Sequence, residues 1–123
     1  ISNMMKTKLT FEPTTLAQVA AQAALDDEDF LRCSVELVEM GRNRLYDFFD
    51  KHDLNYTPSI SNSVMMIMET EEQAIDFTQS MLEQGVILRR IHAFGLPKCI
   101  RITIGTEQEM DHFENSAKKV LNL

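Results

Sequence analysis

The fold class follows from one stretch near the C-terminus, Cys99-Ile100-Arg101-Ile102-Thr103-Ile104-Gly105-Thr106-Glu107-Gln108-Glu109. Isoleucine occupies every second position from 100 to 104, and this period of two predicts a strand with one apolar face. Gly105 can turn the chain, and Thr106 with Glu109 forms the Thr-x-x-Glu capping box that begins a helix. The stretch therefore predicts a strand, a turn and a helix, an arrangement that requires a sheet with helices packed on it.

Two further strands and a helix are predicted just before this stretch. The short apolar run Val64–Met68 predicts a buried strand whose methionines fill the core. Thr70 and Gln73 form a second capping box, and Gly85 stands where a helix would end. Val86–Arg90 then predicts the next strand. The inner faces of the two helices are expected to be Ala74, Phe77, Thr78, Met81 and Leu82 in one, and Met110, Phe113, Ala117, Val120 and Leu121 in the other.

Helices are also predicted for the first half of the chain. Thr14 or Thr15, after Pro13, can cap an alanine-rich helix over residues 16–25, which suits docking on another domain. A long helix is predicted over about residues 27–52, with the apolar stripe Phe30, Leu31, Leu37, Val38, Leu45, Phe48 and Phe49. We expect residues 1–25 to be a linker and helix at a domain junction. Residues 26–123 should form a two-layer α+β domain whose three- to four-stranded sheet is covered on one face by helices.

Composition restricts the classes of partner. The chain has 123 residues and a formal net charge of −7, which argues against nucleic acid or an anionic membrane surface as the main partner. No apolar run is long enough to span a bilayer, and the first residues lack the layout of a signal peptide. Residue 1 is isoleucine, so we expect a cut or processed chain.

The cysteines and histidines predict no metal site or disulfide. Cys33 and Cys99 are far apart and belong to no Cys-x-x-Cys pair, which favours two reduced thiols in a cytosolic protein. The three histidines show no metal-ligand spacing to one another or to a cysteine.

Three arginines are the candidate ligand-binding residues. Arg101 projects from the strand face opposite the isoleucines, where its guanidinium fork suits a carboxylate or phosphate. Arg89 and Arg90 end the neighbouring predicted strand, so three guanidiniums could gather at one end of the sheet. The alternative is that Arg101 is a solvated or salt-bridged strand arginine, and that all three are surface arginines that offset nearby glutamates. Asn62, before the strand at 64–68, has the ordinary interpretation of a turn residue that tolerates positive φ.

These segments resemble the C-terminal region of the histidinol-phosphate aminotransferases. The resemblance rests on Gly85-Val86-Ile87-Leu88-Arg89, the loop Phe94-Gly95-Leu96-Pro97, and Arg101-Ile102-Thr103-Ile104-Gly105-Thr106. Ser59-x-x-Asn62 matches the family's Ser-x-x-Asn-Phe, and residues 14–18 and 23–27 look like its domain junction. The resemblance implies the small domain of a pyridoxal-phosphate transaminase of fold type I, cytoplasmic and homodimeric in full length, that acts in amino-acid biosynthesis.

The resemblance also implies roles for individual residues. Arg101 would hold the anionic group of an amino-acid or amino-phosphate substrate, Arg89 would help to hold a phosphate or second carboxylate, and Asn62 would lie near the substrate. Ser63 replaces the family's usual Phe, and Arg90 replaces a common Pro. The Schiff-base lysine, the acid for the pyridinium nitrogen and the phosphate loop would lie N-terminal to residue 1, in a missing large domain. The chain alone is therefore expected to bind no pyridoxal phosphate and to be inactive.

Two alternatives stay open at this point. An autonomous α+β regulatory module that binds a small anion would share the same arginines. A lyase or decarboxylase on the same scaffold would differ from a transaminase mainly in groups outside this chain.

Overall fold

The computed structural model of the chain describes residue 6 and residues 11–123. The chain divides into two compact units, with the division between Cys33 and Ser34. Within the described residues the helices are α1 (Thr15–Leu25), α2 (Glu28–Lys51), α3 (Glu71–Glu83) and α4 (Glu107–Leu121), and helix α2 runs across the division. A single 3₁₀ turn spans His92–Phe94.

The first unit contains α1 and the start of α2. Thr14 Oγ1 accepts a hydrogen bond from the Ala17 N–H at 3.2 Å, which makes Thr14 the N-cap of α1. Asp27 Oδ1 accepts from the Phe30 N–H at 3.0 Å at the start of α2. No residue of α1 is buried, and the exposed large apolar side chains of this unit are Phe11, Leu16, Val19, Leu25, Phe30 and Leu31. The domain boundary at residues 25 and 26 stays a prediction.

The second unit is built on a four-stranded antiparallel sheet. Its strands are β1 (Tyr56–Thr57), β2 (Ser63–Ile67), β3 (Arg89–Arg90) and β4 (Cys99–Thr103), in the spatial order β1-β2-β4-β3. The central pair β2–β4 runs from Ser63 opposite Thr103 to Ile67 opposite Cys99. A sheet of this size with helices packed against it confirms the α+β class.

The core lies between one face of the sheet and three helices. Val64 and Met66 of β2 and Ile100 and Ile102 of β4 point to this face and are buried, as the period of two requires. The helices add Leu45, Phe48 and Phe49 from α2, Ala74, Phe77 and Met81 from α3, and Met110, Phe113 and Ala117 from α4.

Both predicted capping boxes are present. The Thr70 hydroxyl accepts from the Gln73 N–H while the Gln73 side chain accepts from the Thr70 N–H, and Thr106 and Glu109 repeat the exchange. Hydrogen bonds from the backbone N–H and the hydroxyl of Thr106 lower the pKa of Glu109 below its ordinary value. These boxes fix where α3 and α4 begin.

The strand predicted over residues 86–90 is shorter than expected. The Val86 N–H bonds the Met81 carbonyl oxygen at 2.9 Å, because Gly85 at φ +82° turns the chain back over the end of α3. The backbone joins β4 only at Arg89. The pairing of Tyr56 and Thr57 with β2 has no counterpart among the sequence predictions, because two residues are too few to show a period.

Five residues that the apolar patterns predicted to face the core do not lie in it. In α2, Phe30, Leu31 and Leu37 are 70%, 62% and 39% exposed, because the helix residues buried in the core begin only at Gly41. Leu82 of α3 is half exposed. Met65 of β2 is half-buried on the sheet face opposite the core, since its neighbours Val64 and Met66 take the buried positions.

The described residues contain no helix that is both long and apolar enough to cross a membrane. Over the same residues, no group of three or more His, Cys, Asp or Glu side chains is placed to hold a metal ion. Cys33 is exposed, Cys99 is buried, and both are free.

The approach of α2 to the sheet gives a stability prediction. A Cβ added at Gly41 would overlap Cγ2 of Ile104, which branches directly from Cβ and cannot swing away alone. We expect Gly41→Ala to lower the free energy of unfolding by about 1–3 kcal/mol, although alanine favours a helix. Urea unfolding would measure this loss, with Asn43→Ala on the exposed side of α2 as the matched control.

A double variant isolates the contact. Gly41→Ala with Ile104→Ala should cost less than the sum of the two single changes, because alanine at 104 removes the overlapping methyl group. Stabilisation by Gly41→Ala similar to that of Asn43→Ala would disprove the close approach.

Candidate functional site

Two arginines lie side by side on the sheet face opposite the core. Arg101 of β4 is directly opposite Arg89 of β3 on one side and Met65 of β2 on the other, and Met65 is opposite Thr57 of β1. Directly opposed residues of an antiparallel sheet project to the same face. Arg89 and Arg101, the arginine pair, therefore lie on one open surface, and both are exposed.

The arginine pair differs from every other arginine of the chain. Within the described residues, neither member has a side-chain hydrogen bond or an ion pair. The other four arginines all have partners: Arg32 with Asp29, Arg42 with the Ser61 carbonyl, Arg44 with Asp111 and Glu114, and Arg90 with Glu71. Within the described residues, Arg89 and Arg101 are therefore solvated rather than salt-bridged, so of the alternatives only the solvated strand arginine stays open.

Arg90 does not join the arginine pair. It is opposite Ile100, so its side chain lies on the helix-covered face. There its Nη2 bonds Glu71 Oε1 at 2.8 Å, and its Nε is buried with no hydrogen-bond partner among the described residues. The predicted cluster of three guanidiniums is thus a pair, because successive strand residues point to opposite faces.

A shallow depression of about 300 Å³ surrounds Arg101. Met65, Ile91 and Pro58 form its apolar part. Its polar part comes from Thr57 and from Ser59, Ser61 and Ser63, the serine row. No lysine and no acidic side chain lines it, so the charge of Arg101 is not neutralised inside the depression.

Asn62 belongs to the rim of the sheet rather than to this depression. Its carbonyl oxygen accepts from the Ile104 N–H at 2.9 Å, and its side chain is exposed but does not line the depression. It is not left-handed, since the non-glycine residues with positive φ in the described chain are Asp53 and Asn122. The turn interpretation that invoked positive φ was therefore wrong.

The loop beside Arg101 is tied to α2. The Tyr46 hydroxyl accepts from the Ser59 N–H at 2.7 Å and donates to the Ser59 carbonyl at 3.2 Å. Arg42 Nη1 donates to the Ser61 carbonyl at 3.2 Å. Sequence reasoning missed both residues, because a contact between positions 13 to 19 residues apart leaves no local pattern. The alternation of serine from 59 to 63 was the only available signal for the serine row.

Larger depressions in this unit have less suitable chemistry for an anion. One of about 630 Å³ lies between residues 85–88 and α4, and one of about 390 Å³ is lined by Asp53, Glu69 and Asp76. Neither is lined by lysine or arginine. A smaller depression, of about 210 Å³, contains Arg44, but the carboxylates of Glu114 and Asp111 accept hydrogen bonds from this arginine, offset its charge and raise its pKa.

Comparison with known proteins identifies relatives of this chain. The chain is 39% identical over 101 residues to a histidinol-phosphate aminotransferase of Geobacillus thermodenitrificans, which covers 82% of the chain and 27% of that relative. It is 37% identical over 113 residues to histidinol-phosphate aminotransferase 2 of Carboxydothermus hydrogenoformans, covering 92% of the chain and 31% of the relative. The chain thus spans less than a third of the length of these relatives.

A solved structure shares the fold. The histidinol-phosphate aminotransferase of Sinorhizobium meliloti, crystallised with pyridoxal-5'-phosphate, superposes with a TM-score of 0.82 at 24% identity, over 98% of the chain and 33% of that protein. The family model for aminotransferase class I and II matches residues 1–116. The chain therefore belongs to the class I and II aminotransferase family.

Proposed function

We propose that this chain is the substrate-binding small domain of a pyridoxal-phosphate transaminase of the histidinol-phosphate aminotransferase type. It would act with a larger cofactor-binding domain, in a cytoplasmic homodimer, to transfer an amino group between an amino acid or amino phosphate and a 2-oxo acid. Family membership and relatives of 37–39% identity support the reaction class. The arginine pair supports the role in substrate binding.

The observation that carries this proposal is the pairing of two like charges without a counter-ion. Directly opposed like charges on a sheet destabilise it, by about 0.2–1 kcal/mol in typical cross-strand pairs. The chain has 19 acidic residues, yet none of those described pairs with Arg89 or Arg101. A ligand with a carboxylate or phosphate would relieve the repulsion and satisfy two guanidinium forks at once.

We propose that pyridoxal phosphate is held by residues outside this chain. Schiff-base chemistry needs a lysine at the substrate, and no lysine lines the depression at Arg101. Lys118 lies 5.8 Å above the Phe48 ring and Lys119 bonds Gln84, both on α4. The cofactor would therefore be held by the larger domain, and this chain would hold the anionic end of the substrate.

Of the three proposed substrate-binding residues, Arg101 has the central part. It is the member of the arginine pair that lines the depression, and Arg89 is its direct neighbour across the strands. We propose that Arg101 makes the bidentate contact to the anion and that Arg89 adds a second charge. Asn62 would contribute through its backbone, which fixes the loop at the edge of β4.

The repulsion within the arginine pair is measurable in the 123-residue chain. Arg89→Gln should raise the free energy of unfolding by about 0.2–1 kcal/mol at low ionic strength, and the gain should shrink at 0.5 M salt. Urea unfolding at both salt concentrations measures it. The matched control is Arg90→Gln, which should destabilise the chain because Glu71 loses its partner. Equal effects of the two changes would contradict the assignment of Arg89 and Arg90 to opposite faces.

The role of Arg101 can be tested in a chimera. The 101 aligned residues of the Geobacillus relative would be replaced by the corresponding residues of this chain. Arg101→Ala should lower kcat/KM for transamination about 30- to 1,000-fold, since a charge-assisted bidentate contact contributes roughly 2–4 kcal/mol to transition-state binding. Lys119→Ala on α4 is the control and should have no effect.

Two outcomes would contradict this proposal. Full activity in a folded Arg101→Ala chimera would remove Arg101 from the substrate site. An inactive but folded chimera, together with phosphate binding by the chain alone, would favour the autonomous anion-binding module.

The cofactor assignment predicts that the 123-residue chain binds no pyridoxal phosphate specifically. After incubation and dialysis the absorbance of the cofactor should be gone, and borohydride should leave only scattered labelling of lysines. The complete Geobacillus relative treated in parallel is the positive control. A retained band that disappears on substitution of one particular lysine would overturn the assignment.

A further inference from the structure

The serine row places three side-chain hydroxyls along the wall of the depression at Arg101. Ser59 Oγ and Ser61 Oγ are 3.1 Å apart, and Ser61 Oγ and Ser63 Oγ are 3.2 Å apart. Ser61 Oγ also bonds the backbone of Ser63, accepting from its N–H at 3.3 Å and donating to its carbonyl at 3.2 Å. Ser61 Oγ has one proton and two lone pairs, so it bonds three of these four groups at a time, and the hydroxyls of the serine row lie side by side along the wall of the depression.

Ser63 lies at one end of the serine row, and its hydroxyl can form further hydrogen bonds. A hydroxyl has one proton and two lone pairs, and within the described residues Ser63 Oγ contacts only Ser61 Oγ. Ser63 belongs to β2, opposite Thr103, one step along the same face from the Met65–Arg101 pair. A diagonal separation of that kind is about 7–8 Å between Cα atoms, close enough for one small ligand to touch both side chains.

The serine row is held in place before any ligand arrives. Tyr46 bonds both the N–H and the carbonyl of Ser59, and Arg42 bonds the carbonyl of Ser61. Both anchors come from α2, whose next turns are packed in the core through Leu45 and Phe49. A polar wall fixed in this way loses little freedom on binding, which favours selectivity.

We propose that Ser63, at the end of the serine row, selects ligands that carry a hydrogen-bonding group next to the anion held by Arg101. The ligand class is a small phosphate or carboxylate with a hydroxyl or amine on its carbon chain, in preference to one with a purely apolar chain. Ser63 acts as a specificity residue, and Tyr46 acts as a positioning residue through the loop. This proposal rests on the proposed function only for the anion contact at Arg101.

Two probes differ only in the group that Ser63 would bind. Glycerol phosphate and n-propyl phosphate carry the same anion on three carbons, with and without hydroxyls. Titration of the full ¹⁵N-labelled chain with each, followed by NMR, gives two dissociation constants. We expect glycerol phosphate to bind about three- to tenfold more tightly, the range that one net hydrogen bond provides.

The variants separate the two contacts. Ser63→Ala should remove the preference and leave the affinity for propyl phosphate unchanged, whereas Ser63→Thr keeps a hydroxyl and should restore it. Tyr46→Phe should reduce the preference while leaving propyl phosphate binding intact. Arg101→Ala should weaken both probes by the same factor.

The outcomes distinguish this proposal from the proposed function. Equal binding of the two probes that depends on Arg101, or a preference unchanged in Ser63→Ala, would overturn the role of Ser63 and leave the anion site standing. Failure of both probes to bind, or binding unaffected by Arg101→Ala, would overturn the anion site and this proposal together.

Discussion

The register of β2 against β4 is the constraint on which the core and the site both depend. It places Ile100 and Ile102 against the helices and puts Arg101 on the open face. A slip of one residue would expose both isoleucines and turn Arg101 into the apolar core. An unpaired guanidinium buried there would be strongly destabilising. The hydrophobic effect that forms the core therefore also fixes where Arg101, the proposed anion-binding residue, lies.

The sequence was sufficient to predict helices and strands wherever a pattern was local and repeated. Alternating isoleucines predicted β4 and its exposed arginine, and the two Thr-led capping boxes predicted where α3 and α4 begin. It was insufficient where tertiary contacts decided the outcome. Gly85 follows the end of α3 as expected. However, the Val86 N–H bonds back to the Met81 carbonyl, so β3 begins later than predicted, and no periodic pattern in the sequence indicates this hydrogen bond.

Only part of the candidate site could be predicted from the sequence, because only part of it follows from a local pattern. The strand period assigned Arg101 to the open face, but the division between Arg89 and Arg90 depends on the register of β3, which spans only two residues. Adjacent arginines look identical in a sequence, and their environments here are opposite. Arg90 lies near Glu71 on the helix-covered face, while Arg89 has no partner within the described residues. The serine row shows in the sequence only as alternating serines, and the contact of Tyr46 with Ser59 lies outside any local pattern.

The contrast between these arginines shows how the two proposed ligand-binding positions depart from the rules that stabilise a fold. Arg44 and Arg90 use their charge inside the domain, in ion pairs between elements distant in sequence. Arg101 and Arg89 form no ion pair within the described residues and repel each other. The serine row beside Arg101 supplies hydroxyls, whereas carboxylates in its place would neutralise the arginines. A carboxylate at Ser63 would remove the repulsion but would compete with any anionic substrate. Serine there keeps the surface polar and does not neutralise the two arginines.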